Sequence, residues 1–263
     1  MAADVVIVIP ARLSSTRLPR KMLLAETGRT LVEHTWRAAR GARRATEVVV
    51  ATDSDEIALA VRGFGGTAVL TSPEATSGTA RIVEALPLLP AAARIVVNVQ
   101  GDEPELAAAA IDAAVDLLDR CPAAGVATLV TPMRSEADLR DPAAVKAVLT
   151  PWRDAAGSPV SDAWRAIYFS RAPVPCARDF SPGLLAAEPP LYWQHVGLYA
   201  YRREVLERWN TLPESRLAAH ESLEQLRVIE AGIPIVAGAI AHAARGIDTP
   251  QDYAAFVTRQ RQG

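Results

Sequence analysis

Cysteine is nearly absent. Cys121 and Cys176 are the only two in 263 residues, lie far apart and share no recurring spacing, so neither a disulfide framework nor a thiolate metal site is expected. That usage fits a reducing cytoplasm. No apolar run approaches the ~20 residues that span a bilayer. The N-terminus runs straight into a β-branched stretch without a basic leader or a small-residue cleavage site, so neither export nor a membrane partner is expected. Charge of one sign is also scarce: 28 Lys and Arg against 30 Asp and Glu leave a net charge of -2, with pI near 6.1. Global attraction to nucleic acid or anionic lipid is thereby excluded, and any anion binding must be local. The chain has no GxxxxGK[ST] phosphate loop, no internal repeat and no low-complexity tract beyond Ala-rich helices.

What is present is an apolar half, 50% of the residues, enough for one sizeable core. Residues 5–10 form a continuous β-branched run, as in a strand covered on both faces. A helical pattern follows at 31–43, then a strand at 47–52, a helix at 55–64 with Asp53 or Ser54 as its cap, and a strand at 67–71. Ser77-Gly78-Thr79 opens a helix that Pro87 limits. A strand at 94–99 and an Ala-rich helix at 105–120 complete the series. Repeated βα units of this length predict a mostly parallel sheet with right-handed crossovers. After Ala124 the rhythm changes. Segments 126–130, 144–149, 164–169 and 196–201 are strand-like with no helix between them, while 151–162 and 176–190 read as exposed loops. A helix at 221–231, a strand at 233–240 and a terminal helix at 249–262 close the chain. The expectation is an α/β fold with helices on both faces, one domain over 1–263. An inserted subdomain at about 125–205 would add antiparallel strands and a dimer or acceptor-side surface.

The first strand ends in residues 10–21, PARLSSTRLPRK. Four cations (Arg12, Arg17, Arg20, Lys21) and three hydroxyls (Ser14, Ser15, Thr16) gather at the carboxyl edge, where open α/β sheets bind ligands. Such a set suits a polyphosphate; the alternative is a solvated basic loop. The fourth strand runs into Gln100-Gly101-Asp102-Glu103-Pro104. One carboxylate here suits Mg2+, and the other caps the next helix. Glu103 fits the cap better because Pro104 follows it, leaving Asp102 for ligand. Asp248 lies before Thr249-Pro250, where Thr249 already serves as a cap. Ser77, Gly78 and Thr79 mark a helix N-terminus with Arg81 one turn inside, either a site for backbone donors or an ordinary cap.

Farther on, Arg171 follows a strand and suits a carboxylate. His195, Gly197 and Tyr199 share one strand face, although a lone histidine is as readily structural. Glu221, Glu224 and Gln225 share a helix face, with Glu224 and Gln225 suited to hydroxyls. The set could grip a polyhydroxylated acid.

The motifs PARLSSTRLPRK, SGTARI, NVQGDEP, YFSRA, HVGLYAYR, LEQLRV and GIDTP occur in the order seen in the CMP-KDO synthetases (3-deoxy-manno-octulosonate cytidylyltransferases), a resemblance running from about Val5 to Tyr253. It implies a Rossmann-like nucleotidyltransferase fold, a homodimer joined through the inserted region, and coupling of CTP to KDO with release of pyrophosphate. Arg12, Arg17 and Lys21 match the triphosphate positions. Ser77, Gly78, Thr79, Arg81 and Gln100 match positions near the nucleotide. Asp102 and Asp248 match the Mg2+ aspartates, and Arg171, His195, Tyr199, Glu224 and Gln225 match the sugar positions. Lys21, Arg17 and the two aspartates would carry catalysis, and a second Mg2+ can ride with the triphosphate. The chain departs from the family pattern at Arg20 (for glycine), Ala75 (for histidine), Ala80 (for an acid) and Ala143 (for asparagine), while Lys146 is kept. The 151–162 loop also looks long. These departures leave two other readings: a cytidylyltransferase for a related ulosonic acid, or a catalytically silent sugar-nucleotide-binding protein.

Overall fold

The computed structural model describes residues 5–262. The chain gathers into two compact units. One comprises the chain as far as Asp112 together with the segment from Ala244 onward; the other is Ala113–Ala243.

The first unit alternates β1 (Val5–Ala11), α1 (Leu31–Arg40), β2 (Glu47–Thr52), α2 (Asp55–Gly63), β3 (Thr67–Leu70), α3 (Gly78–Ala85) and β4 (Ile95–Asn98). The chain leaves this unit within α4 (Ala108–Arg120). Its strands lie in the order β3-β2-β1-β4 and all pair in parallel; Ile7, for instance, stands opposite Val48 on one side and Val97 on the other. β1 explains its own position: Val6, Ile7, Val8 and Ile9 are fully buried, as an unbroken β-branched run requires. The starts of α1, α2 and α3 each carry a hydroxyl cap. Thr30, Ser54 and Ser77 accept from the N–H groups of Glu33, Ile57 and Ala80 at 3.3, 3.4 and 3.1 Å. Ser54 is therefore the α2 cap, which leaves Asp53 for other work. The helix expected from residue 105 begins at Ala108 instead. Glu103 does not cap it, because its carbonyl closes a tight turn with the Leu106 N–H at 3.2 Å and Pro104 sits inside that turn.

The second unit contains β5 (Val126–Pro132), α5 (Glu136–Arg140), β6 (Lys146–Arg153), β7 (Pro159–Ser170), β8 (Trp193–Arg202), α6 (Arg203–Glu207), α7 (Arg216–Glu221), α8 (Gln225–Glu230) and β9 (Ile235–Ala239). Strand order is β8-β5-β9-β7-β6, and β6 also pairs β8. Only β5–β9 is parallel; the other pairings are antiparallel. Compactness thus divides the chain at 112/113 and 243/244, whereas the strand rhythm placed the change at about 125 and 205.

Two local expectations are corrected. Residues 151–162 are a β-hairpin rather than a loop, because the turn formers act only at its tip. There the Asp154 carboxylate accepts from the N–H groups of Ala156 and Ser158 at 2.9 and 2.8 Å, and Gly157 takes φ 82°. The helix expected over 221–231 is broken at Ser222, whose left-handed backbone (φ 52°, ψ 49°) ends α7. Glu221 therefore closes α7 while Glu224 and Gln225 open α8, so the three do not share one helix face.

The last helix, α9 (Pro250–Gln262), belongs to the first unit. Tyr253, Phe256 and Val257 on it pack with Leu18, Leu31 and Ile247 in one buried cluster. That cluster pins the middle of the cationic loop and the residue before Asp248 to the same core.

Candidate active site

In the first unit a cleft of about 410 Å³ is lined by Arg12, Arg17, Lys21, Ser77, Gly78, Arg81, Gln100, Asp102 and Asp248, with Ser15, Thr16 and Ala75 among its other walls. All but one of the residues read from the sequence as nucleotide or metal contacts therefore converge. Thr79 stands just behind, 1% exposed.

Lys21 is the centre of the arrangement. It follows Arg20, which adopts the left-handed conformation (φ 56°, ψ 26°) and starts a single 3-10 turn, Lys21–Leu23. Glycine takes that conformation freely; here the arginine takes it and turns its guanidinium away to Glu56, at 2.9 Å. The Lys21 ammonium is thereby carried inward. It donates to Asp102 Oδ2 at 2.6 Å, Asp248 Oδ1 at 3.0 Å and the Ile247 carbonyl at 3.0 Å. Arg17 Nη2 reaches Asp248 Oδ2 at 3.0 Å. Asp102 and Asp248, far apart in sequence, are further fixed by the bond from Ile247 N–H to the Asp102 carbonyl, 2.9 Å. Gly101 leaves no room for a larger residue: an added Cβ would lie 2.9 Å from the Pro10 carbonyl oxygen.

Glu103, next to Asp102, behaves differently. Burial, with the Asp102 charge behind it, pushes its carboxyl up to about 8. Among the described residues no three His, Cys, Asp or Glu side chains cluster as a metal cage. Two carboxylates alone suit a hard ion that completes its shell with phosphate and water.

One residue of this unit was missed from sequence. Asp53 Oδ2 accepts from Arg81 Nη2 at 2.9 Å while Oδ1 accepts from the Leu13 N–H at 3.1 Å, tying α3 to the cationic loop. The available signal was its place at the carboxyl end of β2, on the same sheet edge as the loop.

The second unit holds the other group. His195 lies between Phe169 and Tyr199, ring centroids 4.8 and 5.3 Å away. The two residues meet despite a bulge: Val196 stands opposite Leu129 and Tyr199 opposite Thr128, so strict alternation along β8 is lost. Thr128 Oγ1 directs its proton to main-chain carbonyls (Leu198 at 2.8 Å, Val196 at 3.2 Å) and also meets His195 Nε2 at 2.9 Å. His195 must then donate from Nε2, which leaves Nδ1 as an acceptor. Gln225 is 3% exposed, and its Nε2 has no hydrogen-bond partner among the described residues. A buried amide donor of that kind is costly unless a ligand uses it. Glu224 occupies the α8 N-cap position and makes no side-chain cap bond. Arg171 is held by three main-chain carbonyls.

Desolvation lowers the His195 pKa from the ordinary 6.5 to about 3. The unfolded chain therefore binds a proton that the folded chain refuses. Stability from this group is complete above pH 6.5 and is lost as pH falls toward 3. His195→Gln should flatten the decline in urea midpoint over that window; a decline as steep as the wild type's would contradict it.

A parallel α/β unit with a cationic loop and two aspartates at the carboxyl edge defines a nucleotidyltransferase. The model for the cytidylyltransferase family matches residues 6–235. The 3-deoxy-manno-octulosonate cytidylyltransferase of Rhodopirellula baltica is 48% identical over 254 residues, covering 96% of this chain and 97% of that protein. The enzyme of the same name from Escherichia coli is 40% identical, covering 93% and 91%. A solved structure of CMP:2-keto-3-deoxy-manno-octonic acid synthetase complexed with CTP superposes with a TM-score of 0.86 at 38% identity, over 98% of this chain and 99% of that one. The chain belongs to the 3-deoxy-manno-octulosonate cytidylyltransferase family. No helix among the described residues is long and apolar enough to cross a membrane.

Proposed function

We propose that the protein couples CTP to 3-deoxy-D-manno-octulosonate (KDO), releasing pyrophosphate and forming CMP-KDO for lipopolysaccharide biosynthesis. The observation that carries this reading is the Lys21 ammonium held between Asp102 and Asp248 in a cleft that Arg12 and Arg17 also line, in a chain of this family.

The reaction needs an alcohol, the anomeric C2 hydroxyl of the sugar, to attack the α-phosphorus while a highly charged pyrophosphate departs. Arg12, Arg17 and Lys21 neutralise the β- and γ-phosphates as that charge develops. The first turn of α3, with Ser77 and Gly78, offers backbone N–H groups to phosphate oxygens, and Gln100 and Arg81 line the same cleft. Asp102 and Asp248 would hold Mg2+. They supply hard oxygen donors and already accept one cation between them, the Lys21 ammonium. When bound, the metal lowers the pKa of the attacking hydroxyl and stabilises charge on the phosphate. Arg171 takes the sugar carboxylate, while His195 Nδ1, Tyr199, Glu224 and Gln225 Nε2 take hydroxyls. The active form is a homodimer joined through residues 125–205, working in the cytoplasm.

Pyrophosphate release, measured with CTP, Mg2+ and a panel of ulosonic acids, tests the assignment. Release with KDO is the expected result. Release only with another acid moves the assignment to that acid, and none with any acid makes the protein a silent binder.

A further inference from the structure

Arg171 is gripped at both ends by one residue that no motif assigns to the site. Its Nε donates to the Glu221 carbonyl at 2.6 Å, and its backbone N–H donates to Glu221 Oε2 at 2.8 Å. Ser170 Oγ donates to the other carboxylate oxygen, Oε1, at 2.6 Å. Nη1 donates to the Pro142 carbonyl at 2.9 Å and Nη2 to the Ser222 carbonyl at 3.3 Å. Every acceptor hydrogen-bonded to the guanidinium is thus a neutral carbonyl, and the Glu221 carboxylate, held on the Arg171 backbone N–H, acts on the guanidinium charge through space. A guanidinium has five N–H donors, and three are used here. One N–H remains on each terminal nitrogen, enough for a carboxylate to accept two bonds.

The backbone behind it is fixed with equal care. Lys146 is fully buried, and its three donors go to the carbonyls of Arg171 (2.7 Å), Ala144 (2.7 Å) and Asp141 (2.8 Å). The left-handed Ser222 turns its own carbonyl and that of Glu221 onto the same guanidinium.

We infer that Glu221 is a positioning residue for acceptor binding. It orients Arg171 through both its carboxylate and its carbonyl and leaves the guanidinium charge and two N–H groups for the acid's carboxylate. This rests on the reading of Arg171 as the carboxylate ligand. A substrate contact that is equally strong in ground and transition states changes KM rather than kcat. Glu221→Ala should therefore raise KM for KDO about 10-fold, with KM for CTP and kcat within about 2-fold of wild type. Glu221→Gln, which keeps an acceptor, should restore most of the loss. Ser170→Ala removes the Ser170 bond to the carboxylate and should raise KM for KDO by about 3-fold; it also serves if Glu221→Ala fails to fold. Arg171→Ala should raise KM for KDO about 100-fold, and the Arg171→Ala/Glu221→Ala double variant should be no worse, because the two act as one unit. Unchanged KM in Arg171→Ala overturns the carboxylate reading itself. A large effect there, with KM for KDO unmoved in Glu221→Ala and Ser170→Ala or with additive losses in the double variant, overturns the positioning role alone.

Discussion

Replacing Asp102 with alanine should lower kcat by roughly 10³-fold or more, and Asp248→Ala should do the same. Each change removes one of the two carboxylates that, among the described residues, line the cleft and on the proposed reading hold a divalent ion; metal activation of the nucleophile is worth several kcal/mol. The fold should survive. Lys21 keeps two of its three acceptors in either variant, and both carboxylates are partly exposed, 25% for Asp102 and 42% for Asp248. Single-turnover rates with saturating CTP and Mg2+ measure the effect, and titration of Mn2+ in the presence of CTP should show the loss of ion binding directly. Near-wild-type rates in both variants would remove the metal assignment.

Asp53→Ala should be strongly destabilising to the first unit. It leaves Arg81, with 4% of its side chain exposed, charged and without its carboxylate. Breaking a buried pair from one side costs about 3–5 kcal/mol, which for a chain of this size lowers Tm by about 10 °C. It also frees the Leu13 N–H, so KM for CTP should rise with the loss of loop order. The partner of the pair decides the mechanism. The Asp53→Ala/Arg81→Leu double variant carries no stranded charge and should melt above Asp53→Ala. A single variant that melts with the wild type would show that the pair contributes nothing.

The places of these three aspartates show what sequence could and could not reveal. Asp102 was legible because it follows a buried parallel strand, a position whose geometry is fixed by the strand itself. Asp248 was legible because Thr249 and Asp252 satisfy the local helix start, Thr249 Oγ1 donating to Asp252 at 2.7 Å and accepting from its N–H at 3.1 Å. Asp53 was not, because its value depends on an arginine 28 residues away. The parallel strands could be read from β-branched runs, whose burial is a property of the run. The hairpin at 151–162 and the break at Ser222 could not. Turn-forming residues do not say how tightly they turn, and serine has no intrinsic preference for left-handed backbone. His195 and Tyr199 were paired correctly by strand alternation although the strand bulges between them, so the agreement owes as much to ring packing as to periodicity.

The lysine between the two aspartates has a consequence for electroneutrality. Asp102 and Asp248 with Lys21 and Arg17 form a quartet of zero net charge. A polyanion that replaces the two carboxylates would let both cations change partners without stranding charge. A bare dication would leave the quartet at plus two, whereas a nucleotide that already carries its metal brings the compensating phosphates with it. On the proposed reading Lys21 and Arg17 would act as exchangeable counter-ions, favouring the metal–nucleotide complex over either component alone.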